Sequence, residues 1–405
     1  MSALSLNGSS VSDVATPPSS RGIISGLLSE QALPALLARL GIFVGSAIAK
    51  PIRIGTKVIV IRHADVKEMF ARDLDFLIAP VNQKRIEEVN GPFVLGMDRG
   101  ATLVHERGAL YQAFSQVNFK AISENVTKQA QARIDAAGDH IDVVTDFARP
   151  IAAATAHALF GITNTDQILF MDVVRAVFGH VFLNLSDDAA IRERALRASR
   201  LMQEWFDSEI QRRQKASDPG ADMMGALLRN GQLDHDGVRR TLGGMLVGSI
   251  DTTATTVAKI ITVVSRDKPL ASKIAADVDN PKLVYGWCLE ALRQWPHNPI
   301  LFRKAAGDTT LAGTQVKTGD DVIAWTQAAM LDKSEFPIPL QLRPDRPIGA
   351  YLHFGGELHT CAGRAVNSLQ IPILVSALVK RGIKSVGPIQ WAGPFPDHLV
   401  LKFER

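Results

Sequence analysis

The run of residues 353–364, HFGGELHTCAGR, constrains this chain more than any other segment. It places one cysteine, Cys361, between two glycine turns, with a histidine two residues before it and a predicted helix behind it. Glycine turns let the backbone approach a flat ligand closely and donate N–H groups to a sulfur. A thiolate held in this way can serve as an axial ligand of haem iron. A lone free cysteine is more often an inert core residue, so the other motifs must decide between these interpretations.

Composition describes an ordinary globular protein and excludes several functional classes. The chain has 405 residues, of which 46% are hydrophobic and 21% are charged, so it can bury a large core. A net charge of +4 is mild for this length, and no nucleic-acid partner is expected, because such partners require a concentrated basic stripe. The two cysteines, Cys288 and Cys361, form no disulfide framework and fit a reducing compartment.

The N-terminal region predicts neither a signal peptide nor a transmembrane anchor. Residues 5–20 are rich in serine and include two adjacent prolines, which predicts a disordered tail over residues 1–20. The apolar stretch 33–49 is interrupted by Pro34, Arg39 and Gly41 and is too short to span a bilayer, so it predicts an amphipathic surface helix. We therefore expect a soluble, cytoplasmic protein with one large domain over residues 21–405.

The hydrophobic pattern predicts a small β region and a long helical body. Residues 51–61 alternate around Gly55 and predict a hairpin, further strands are predicted between residues 299 and 321, and a hairpin tip is predicted at 391–396. Residues 331–352 contain four prolines and predict a functional loop. Helices are predicted over residues 105–119, 122–137, 150–160, 166–185, 188–217, 281–295 and 362–381, and over one long stretch from Asp234 or Asp236 to residue 266.

Two further motifs carry polar groups on these predicted helices. Glu290 and Arg293 lie three residues apart on one helix face and predict a local ion pair, which taken alone is usually a solvated surface contact. The run 248–253, GSIDTT, puts an acid and two threonines inside an apolar helix. Such residues are locally unfavourable there, although a threonine can bond back to the preceding turn.

Together these motifs resemble those of the cytochrome P450 family. The haem loop of that family, F-G-x-G-x-H/R-x-C-x-G, is matched at Phe354, Gly355, His359, Cys361 and Gly363, with Glu357 in place of the second glycine. The pattern A/G-G-x-D/E-T of its distal helix is matched at Gly248, Asp251 and Thr252, with Ser249 in place of a glycine. Glu290 and Arg293 precede the cysteine by about 70 residues, as the E-x-x-R pair of the family does.

The resemblance covers residues 50–405 and implies a mainly α P450 fold, a helical prism with a smaller β region, that binds haem b. It implies that Cys361 is the axial thiolate, that Phe354 packs near the sulfur and that Gly363 completes the cofactor loop. The implied ligands of the haem propionates are His105, Arg303 and His359, with Arg107 compensating for Ala109, where the family has an arginine. Gln341 replaces the arginine that completes the E-x-x-R network, and either Arg343 or Arg346 is expected to substitute.

The function implied by the resemblance is a monooxygenase that inserts one oxygen atom from O2 into a substrate. Thr252 would orient a water at the oxygen site, and Asp251 would link that water to solvent. No flavin or ferredoxin segment is recognised, so an external ferredoxin and its NAD(P)H-dependent ferredoxin reductase are the expected partners, docking where Arg364 could attract an acidic protein.

The candidate pocket residues are mostly apolar and predict a small or medium hydrophobic substrate. They are Leu246, Val247, Gly248, Ile300, Leu301 and Phe395, with residues 79–95 as a lid. Two alternatives remain open at this point. One is a haem-thiolate enzyme that uses peroxide or rearranges an oxygenated lipid, and the other is a non-catalytic haem- or ligand-binding protein.

Overall fold

Strands from both ends of the described chain form small sheets beside a helical body. The computed structural model describes residues 50–162, 165–393 and 395–404, so the predicted tail 1–20 and the predicted helix 33–49 lie outside it. The strands are β1 Ile52–Ile54, β2 Lys57–Val60, β3 Phe76–Leu77, β4 His140–Asp142, β5 Leu301–Ala305, β6 Thr309–Leu311, β7 Thr314–Val316, β8 Asp321–Ala324, β9 Ile383–Val386, β10 Gln390–Ala392, β11 Phe395–His398 and β12 Val400–Phe403.

The largest sheet joins the start of the described chain to its second half. Its strand order is β1-β2-β8-β5-β3, in which β2 and β8 are parallel and the other pairs are antiparallel. The predicted hairpin is confirmed, with Gly55 at the turn in a left-handed conformation (φ 58°). β8 extends beyond the predicted strand region because Val322 and Ala324 are fully buried in this sheet. The sheet fixes β5, which carries Arg303.

The helices follow the predicted pattern with shifted ends. They are α1 His63–Ala71, α2 Ala79–Asn90, α3 Ala101–Ser115, α4 Phe119–Ala136, α5 Arg149–Phe160, α6 Gln167–Phe178, α7 Ala189–Gln214, α8 Met223–Asn230, α9 His235–Val247, α10 Asp251–Arg266, α11 Lys268–Ala276, α12 Pro281–Gln294, α13 Thr326–Ala329 and α14 Arg364–Lys380. Side chains that accept backbone N–H groups set several of the starts, among them Asp166 for α6, Asp188 for α7 and Asp234 for α9. α3 begins four residues before the predicted start at residue 105, directly after Gly100.

The long helix predicted to run through to residue 266 is interrupted, which corrects the sequence reading. α9 ends at Val247 and α10 begins at Asp251, with a turn at residues 248–250 between them. The hydroxyls of Ser249 and Thr252 donate to the carbonyls of Leu246 (2.7 Å) and Gly248 (2.5 Å). Hydroxyls that bond back to the preceding turn compete with the backbone ladder and bend helices, so the GSIDTT run opens the helix where the family motif lies.

The interrupted helix crosses the main hydrophobic core. Counted through the turn, His235–Arg266 is the one described segment long and apolar enough to cross a membrane, by length and composition alone. However, 78% of its most apolar stretch is buried inside the protein, and Val257, Ile260 and Ile261 are fully buried. These side chains are therefore core residues, packed against α12 and α14.

A fully buried ion pair connects the helical body to the proline-rich loop. Glu290 and Arg293 on α12 are both 0% exposed and bond through two N–H···O contacts of 2.9 and 2.8 Å. Arg293 also donates to the carbonyls of Met330 (3.1 Å) and Pro339 (2.6 Å). Burial alone would raise the pKa of Glu290, but the charge and hydrogen bonds of its partners lower it below the ordinary value. The solvated surface pair is excluded, and residues 331–352 contain no α-helix or strand, as predicted.

The arginine that joins Glu290 and Arg293 as the third member of this network is Arg346 rather than Arg343. The Nε atom of Arg346 lies 3.3 Å from Glu290 Oε1, whereas Arg343 gives Glu290 only its backbone N–H (3.0 Å). The Arg343 side chain turns outward to Asp345. Tyr351 completes the network, because its hydroxyl donates to Glu290 Oε1 at 2.7 Å. Four groups, the side chains of Arg293, Arg346 and Tyr351 and the backbone N–H of Arg343, therefore meet at one carboxylate.

We predict that Glu290→Ala destabilises the fold by about 3–5 kcal/mol, because it leaves buried guanidinium groups without their counter-charge. Thermal and urea unfolding measure this change. Glu193→Ala is the matched control, since Glu193 forms an i,i+4 pair with Arg197 on α7 but its side chain is 74% exposed. The control is expected to shift stability by about 0.5 kcal/mol or less. Equal effects of the two substitutions would contradict the prediction.

Candidate functional site

The Cys361 loop holds its sulfur among backbone donors. The N–H of Cys361 donates to the carbonyl of Phe354 at 2.9 Å, which closes the loop between the turn Glu357–His359 and α14. The N–H groups of Gly363 and Arg364 point at the sulfur and oppose the rise that burial causes in the pKa of the Cys361 thiol. A Cβ atom on Gly363 would lie 3.6 Å from Sγ, so glycine leaves that side of the sulfur open.

Glu357 keeps the backbone turn for which the family uses glycine. Its φ is 50°, in the left-handed region, and Gly355 before it has a φ of 68°. Gly356 between them cannot be replaced without movement, because a Cβ atom would come within 2.8 Å of the Phe70 ring. The departure at Glu357 thus leaves the loop geometry intact but places a side chain in a strained conformation.

Cys361 is the exposed one of the two cysteines. The surrounding protein nevertheless raises the pKa of its thiol by desolvation. The residue is therefore accessible although protein surrounds its sulfur. Cys288 differs, because it is completely buried in α12 and reads as core packing.

Three basic side chains gather at the same loop without a counter-anion. Arg303 on β5 is 6% exposed, and burial lowers its pKa to about 10. Arg107 on α3 donates to the carbonyl of Thr360 at 3.1 Å, with its guanidinium over the ring of Tyr111. Burial, and the charges of Arg303 and Arg107, lower the pKa of His359 to about 4. Groups that repel one another in this way form a receptor for an anion.

The acids nearest this cluster are bound elsewhere. Asp73 pairs with Arg99 at 2.8 Å, and Asp98 accepts the backbone N–H groups of Ile78 and Ala79. In the described part of the chain, no carboxylate forms an ion pair with Arg303, and the charges of Asp98 and Asp73 offset only part of the lowering of its pKa by burial. A dianionic ligand such as haem, with its two propionates, would supply a direct counter-charge.

His105 does not join this cluster. Its Nε2 lies 3.0 Å from the carbonyl of Gln232, on the exposed side of α3. The reason is helical geometry: residues two apart on a helix do not share a face. Because Arg107 faces the Cys361 loop, His105 must face away from it. The predicted propionate contact of His105 is therefore not supported, whereas those of Arg303, Arg107 and His359 remain as proposals.

The turn between α9 and α10 lies next to the helix that follows Cys361. The side chain of Gln370 on α14 donates to Thr253 Oγ1 at 3.0 Å, and Asn367 Oδ1 lies 3.4 Å from the same hydroxyl. Gly248 is exposed within an otherwise buried stretch, and a Cβ there would meet only Met245 O, at 3.9 Å. Thr252, whose hydroxyl bonds Gly248, therefore borders the open space beside that glycine.

Asp251 is buried in an ion-pair network that the sequence did not reveal. Its Oδ1 lies 3.1 Å from Arg149 Nε and accepts from Arg175 Nε at 2.9 Å, while its Oδ2 is buried with no protein partner. Arg175 continues to Asp397 at 2.9 Å, and the Asp397 side chain is 37% exposed. These partners lie on α5, α6 and β11, so no spacing in the sequence connects them. Ion pairs through Arg175 thus connect the partly exposed Asp397 to the buried carboxylate of Asp251.

The predicted pocket residues do not all meet. Val247 lines a cavity of about 20 Å³ together with residues of the predicted lid, and Gly248 and Thr252 border the open space described above. Phe395 lies 5.5 Å from the ring of Phe178, beside this region. Leu246 is fully buried in the core, Ile300 is 38% exposed, and Leu301 packs against the cluster around the five-stranded sheet. The lid residues at this cavity are Ile86, Val89, Asn90, Phe93 and Leu95.

Comparisons with known proteins agree on one family. The family model described as Cytochrome P450 matches residues 53–381. Nocardicin C N-oxygenase of Nocardia uniformis subsp. tsuyamanensis is 26% identical over 268 residues, which is 65% of this chain and 64% of the relative. Vitamin D3 dihydroxylase of Streptomyces griseolus is 29% identical over 273 residues, covering 66% and 62%. The matched segment thus spans under two thirds of these relatives.

The crystal structure of CalO2 superposes with a TM-score of 0.80 at 18% identity over 93% of this chain and 98% of that one, which shows the fold.

We predict that Glu357→Gly is more stable than Glu357→Ala by about 1 kcal/mol, because only glycine adopts the left-handed backbone without strain. The same comparison at Glu124, exposed on α4, should have the opposite sign, since glycine inside a helix costs about 1 kcal/mol relative to alanine. Thermal unfolding of the four variants measures both differences. Alanine as the better residue at both positions would show that Glu357 is unstrained.

Proposed function

Because the chain belongs to the cytochrome P450 family, we propose that it is a haem-thiolate monooxygenase that inserts one oxygen atom from O2 into a small or medium, mostly apolar molecule. One observation carries this proposal. Cys361 is accessible, the cluster of Arg303, Arg107 and His359 lies at its loop, and the Thr253 hydroxyl at the start of α10 accepts a hydrogen bond from α14, the helix that follows Cys361. Each component suits one part of a thiolate-bound haem and the oxygen site above it.

The residues present fit haem b. Cys361 would ligate the iron, while Arg303, Arg107 and His359 would bind the propionates by charge-assisted hydrogen bonds. Phe354 is partly buried and would pack on the sulfur side of the ring. Covalent attachment requires a C-x-x-C-H run, and the only two cysteines of the chain are 73 positions apart (361 minus 288), so a non-covalent haem is the suitable form. When bound, thiolate-ligated iron activates dioxygen, and the sulfur favours cleavage of the O–O bond.

The polar groups beside the cavity would control protons. The Thr252 hydroxyl donates to Gly248 O, which leaves the lone pairs of Oγ1 to accept a hydrogen bond from water. Asp251 Oδ2 has no protein partner and could exchange a proton with that water. The Arg175 and Asp397 side chains supply a charged route from solvent to this carboxylate. This arrangement supports oxygen activation with delivered protons over a peroxide-using or rearranging reaction, which requires no such delivery.

Electrons would come from an external ferredoxin and its NAD(P)H-dependent ferredoxin reductase. A surface cavity of about 460 Å³ opens beside the Cys361 loop, and its lining includes Arg364 and Lys67. Arg364 is exposed at the first position of α14. Arg364 and Lys67, which outnumber the one acid of this lining, Glu357, would attract an acidic electron donor, because complementary charge steers encounter.

We predict that the reduced protein with carbon monoxide shows the red-shifted Soret band of a thiolate-ligated haem. Cys361→Ala should abolish that band, because the only other cysteine, Cys288, is buried. Cys288→Ala is the matched control and should preserve it, since Cys288 is enclosed in α12. A normal band in the Cys361 variant would refute the assignment of the ligand.

We predict that Thr252→Ala binds substrate and oxidises NADH with a surrogate ferredoxin system but loses most product, with hydrogen peroxide appearing instead. Asp251→Asn should slow the whole cycle, because an amide does not carry a proton, and the effect should reach about 10²–10⁴-fold. Thr262→Ala is the control: its hydroxyl also bonds back within α10, to Ala258 O at 2.8 Å, away from the turn. Wild-type product rates in both test variants would favour a peroxide-driven or rearranging enzyme, which addition of hydrogen peroxide alone would reveal.

A further inference from the structure

A lysine is buried in the distal helix without an acidic partner. Lys259 on α10 is 6% exposed, and its Nζ donates to the carbonyl of Pro296 at 2.8 Å. The ring of Trp295 lies 5.3 Å from the same atom. Across residues 50–162, 165–393 and 395–404, no carboxylate forms an ion pair with it. Lysine is almost never buried unless it is paired, because an ammonium group removed from water is costly.

A histidine beside this lysine also lacks a partner. The Nδ1 atom of His297 is buried and makes no hydrogen bond. Burial and the neighbouring charge of Lys259 lower the pKa of His297 to about 3, so the ring is neutral. Burial likewise lowers the pKa of Lys259 to about 7. Buried polar atoms are almost always satisfied, so the unpaired Nδ1 of His297 calls for a partner that the described residues do not supply. Lys259 has a carbonyl acceptor but no counter-charge.

The geometry of α10 places this pair on the side of the proposed oxygen site. Lys259 follows Thr252 by seven residues, which is two helical turns, so both side chains lie on one face. Seven residues of helix rise about 10 Å. Lys259 therefore lies about 10 Å along the helix from the Thr252 hydroxyl.

Aromatic side chains connect the pair to the apolar cavity. The ring of His297 lies 6.5 Å from that of Phe178, which lies 5.5 Å from Phe395 and 4.8 Å from Phe182. Phe182 in turn lines the small cavity beside Val247. A polar pair at the end of an aromatic wall can fix one end of a long apolar ligand.

We propose that Lys259 and His297 bind the acidic end of the substrate, so that the substrate class is a mostly apolar monocarboxylic acid whose reacting carbon lies far from the carboxylate. The proposal deepens the proposed monooxygenase function and rests on it. A carboxylate would supply the counter-charge that Lys259 lacks and an acceptor for an N–H of His297. The structural alternative is that Lys259 only binds the carbonyl that follows the end of α12, as cations near helix ends do.

Binding of a matched ligand pair to the haem-loaded protein separates the two roles. The probes are decanoate and decanamide, which share shape and apolar surface but differ in charge, and their dissociation constants are measured by calorimetry without reductant or electron donor. We expect decanoate to bind at least about tenfold more tightly than decanamide. Lys259→Met should remove that preference, leaving decanamide affinity unchanged, and His297→Asn should reduce it.

Lys273→Met is the control for a generic lysine effect. Lys273 also lies over a tryptophan, with its Nζ 5.7 Å from the Trp287 ring, but it is exposed on α11. The control should keep the preference for decanoate. The proposal is overturned if wild-type protein binds the two probes equally, or if Lys259→Met weakens both by the same factor. Should Lys259→Met fail to fold, His297→Asn with an unchanged preference overturns it as well.

The same design keeps this proposal distinct from the proposed function. Selective decanoate binding without oxygenated product in a ferredoxin system would refute the monooxygenase and leave the anchor standing. Oxygenated product from both decanamide and decanoate, bound with equal affinity, would support the monooxygenase and refute the anchor.

Discussion

The buried carboxylate of Glu290 is the interaction on which the site depends. It binds Arg293, Arg346 and Tyr351 at once, and through Arg293 it holds the carbonyls at both ends of the bend between residues 330 and 341. Residues 331–352 have no α-helix or strand to fix them, so this network and the contacts of His63 with Asp332 and Ala350 hold the segment. That segment leads directly into the Cys361 loop, so charge pairing at Glu290 helps to position the sulfur.

The protein treats its buried charges in two different ways. Asp251 is compensated by Arg149 and Arg175, and Glu290 by its own cluster. The group of Arg303, Arg107 and His359 is not compensated, and neither is Lys259. Burial without a counter-charge is costly, and it lowers the pKa of Arg303 to about 10 and that of Lys259 to about 7. One anionic cofactor and one anionic substrate would supply the missing counter-charges.

The opened turn at residues 248–250 shows how one short run affects the whole site. The hydroxyls of Ser249 and Thr252 donate to carbonyls of the preceding turn, and the helix is interrupted there. The break lies at Gly248, which is exposed and leaves space beside the backbone. Thr252 and Asp251 are adjacent in the chain but have different surroundings. Thr252 is partly exposed and bonds the carbonyl of Gly248, while Asp251 is buried against the arginines of α5 and α6.

The sequence alone determined the family, the E-x-x-R pair and most helices, because these depend on local periodicity and on motifs whose residues are close in the chain. The site beyond the motifs could not be read in this way. On α3, the helical repeat turns His105 away from the cluster that Arg107 joins. At Glu290, the loop conformation directs the side chain of Arg346 inward, so Arg346 rather than Arg343 completes the network. The partners of Asp251, which are Arg149, Arg175 and Asp397, come from elements distant in the chain. The same is true of the neighbours Lys259 and His297. Tertiary structure decided them, because burial and charge balance exist only after those elements pack together.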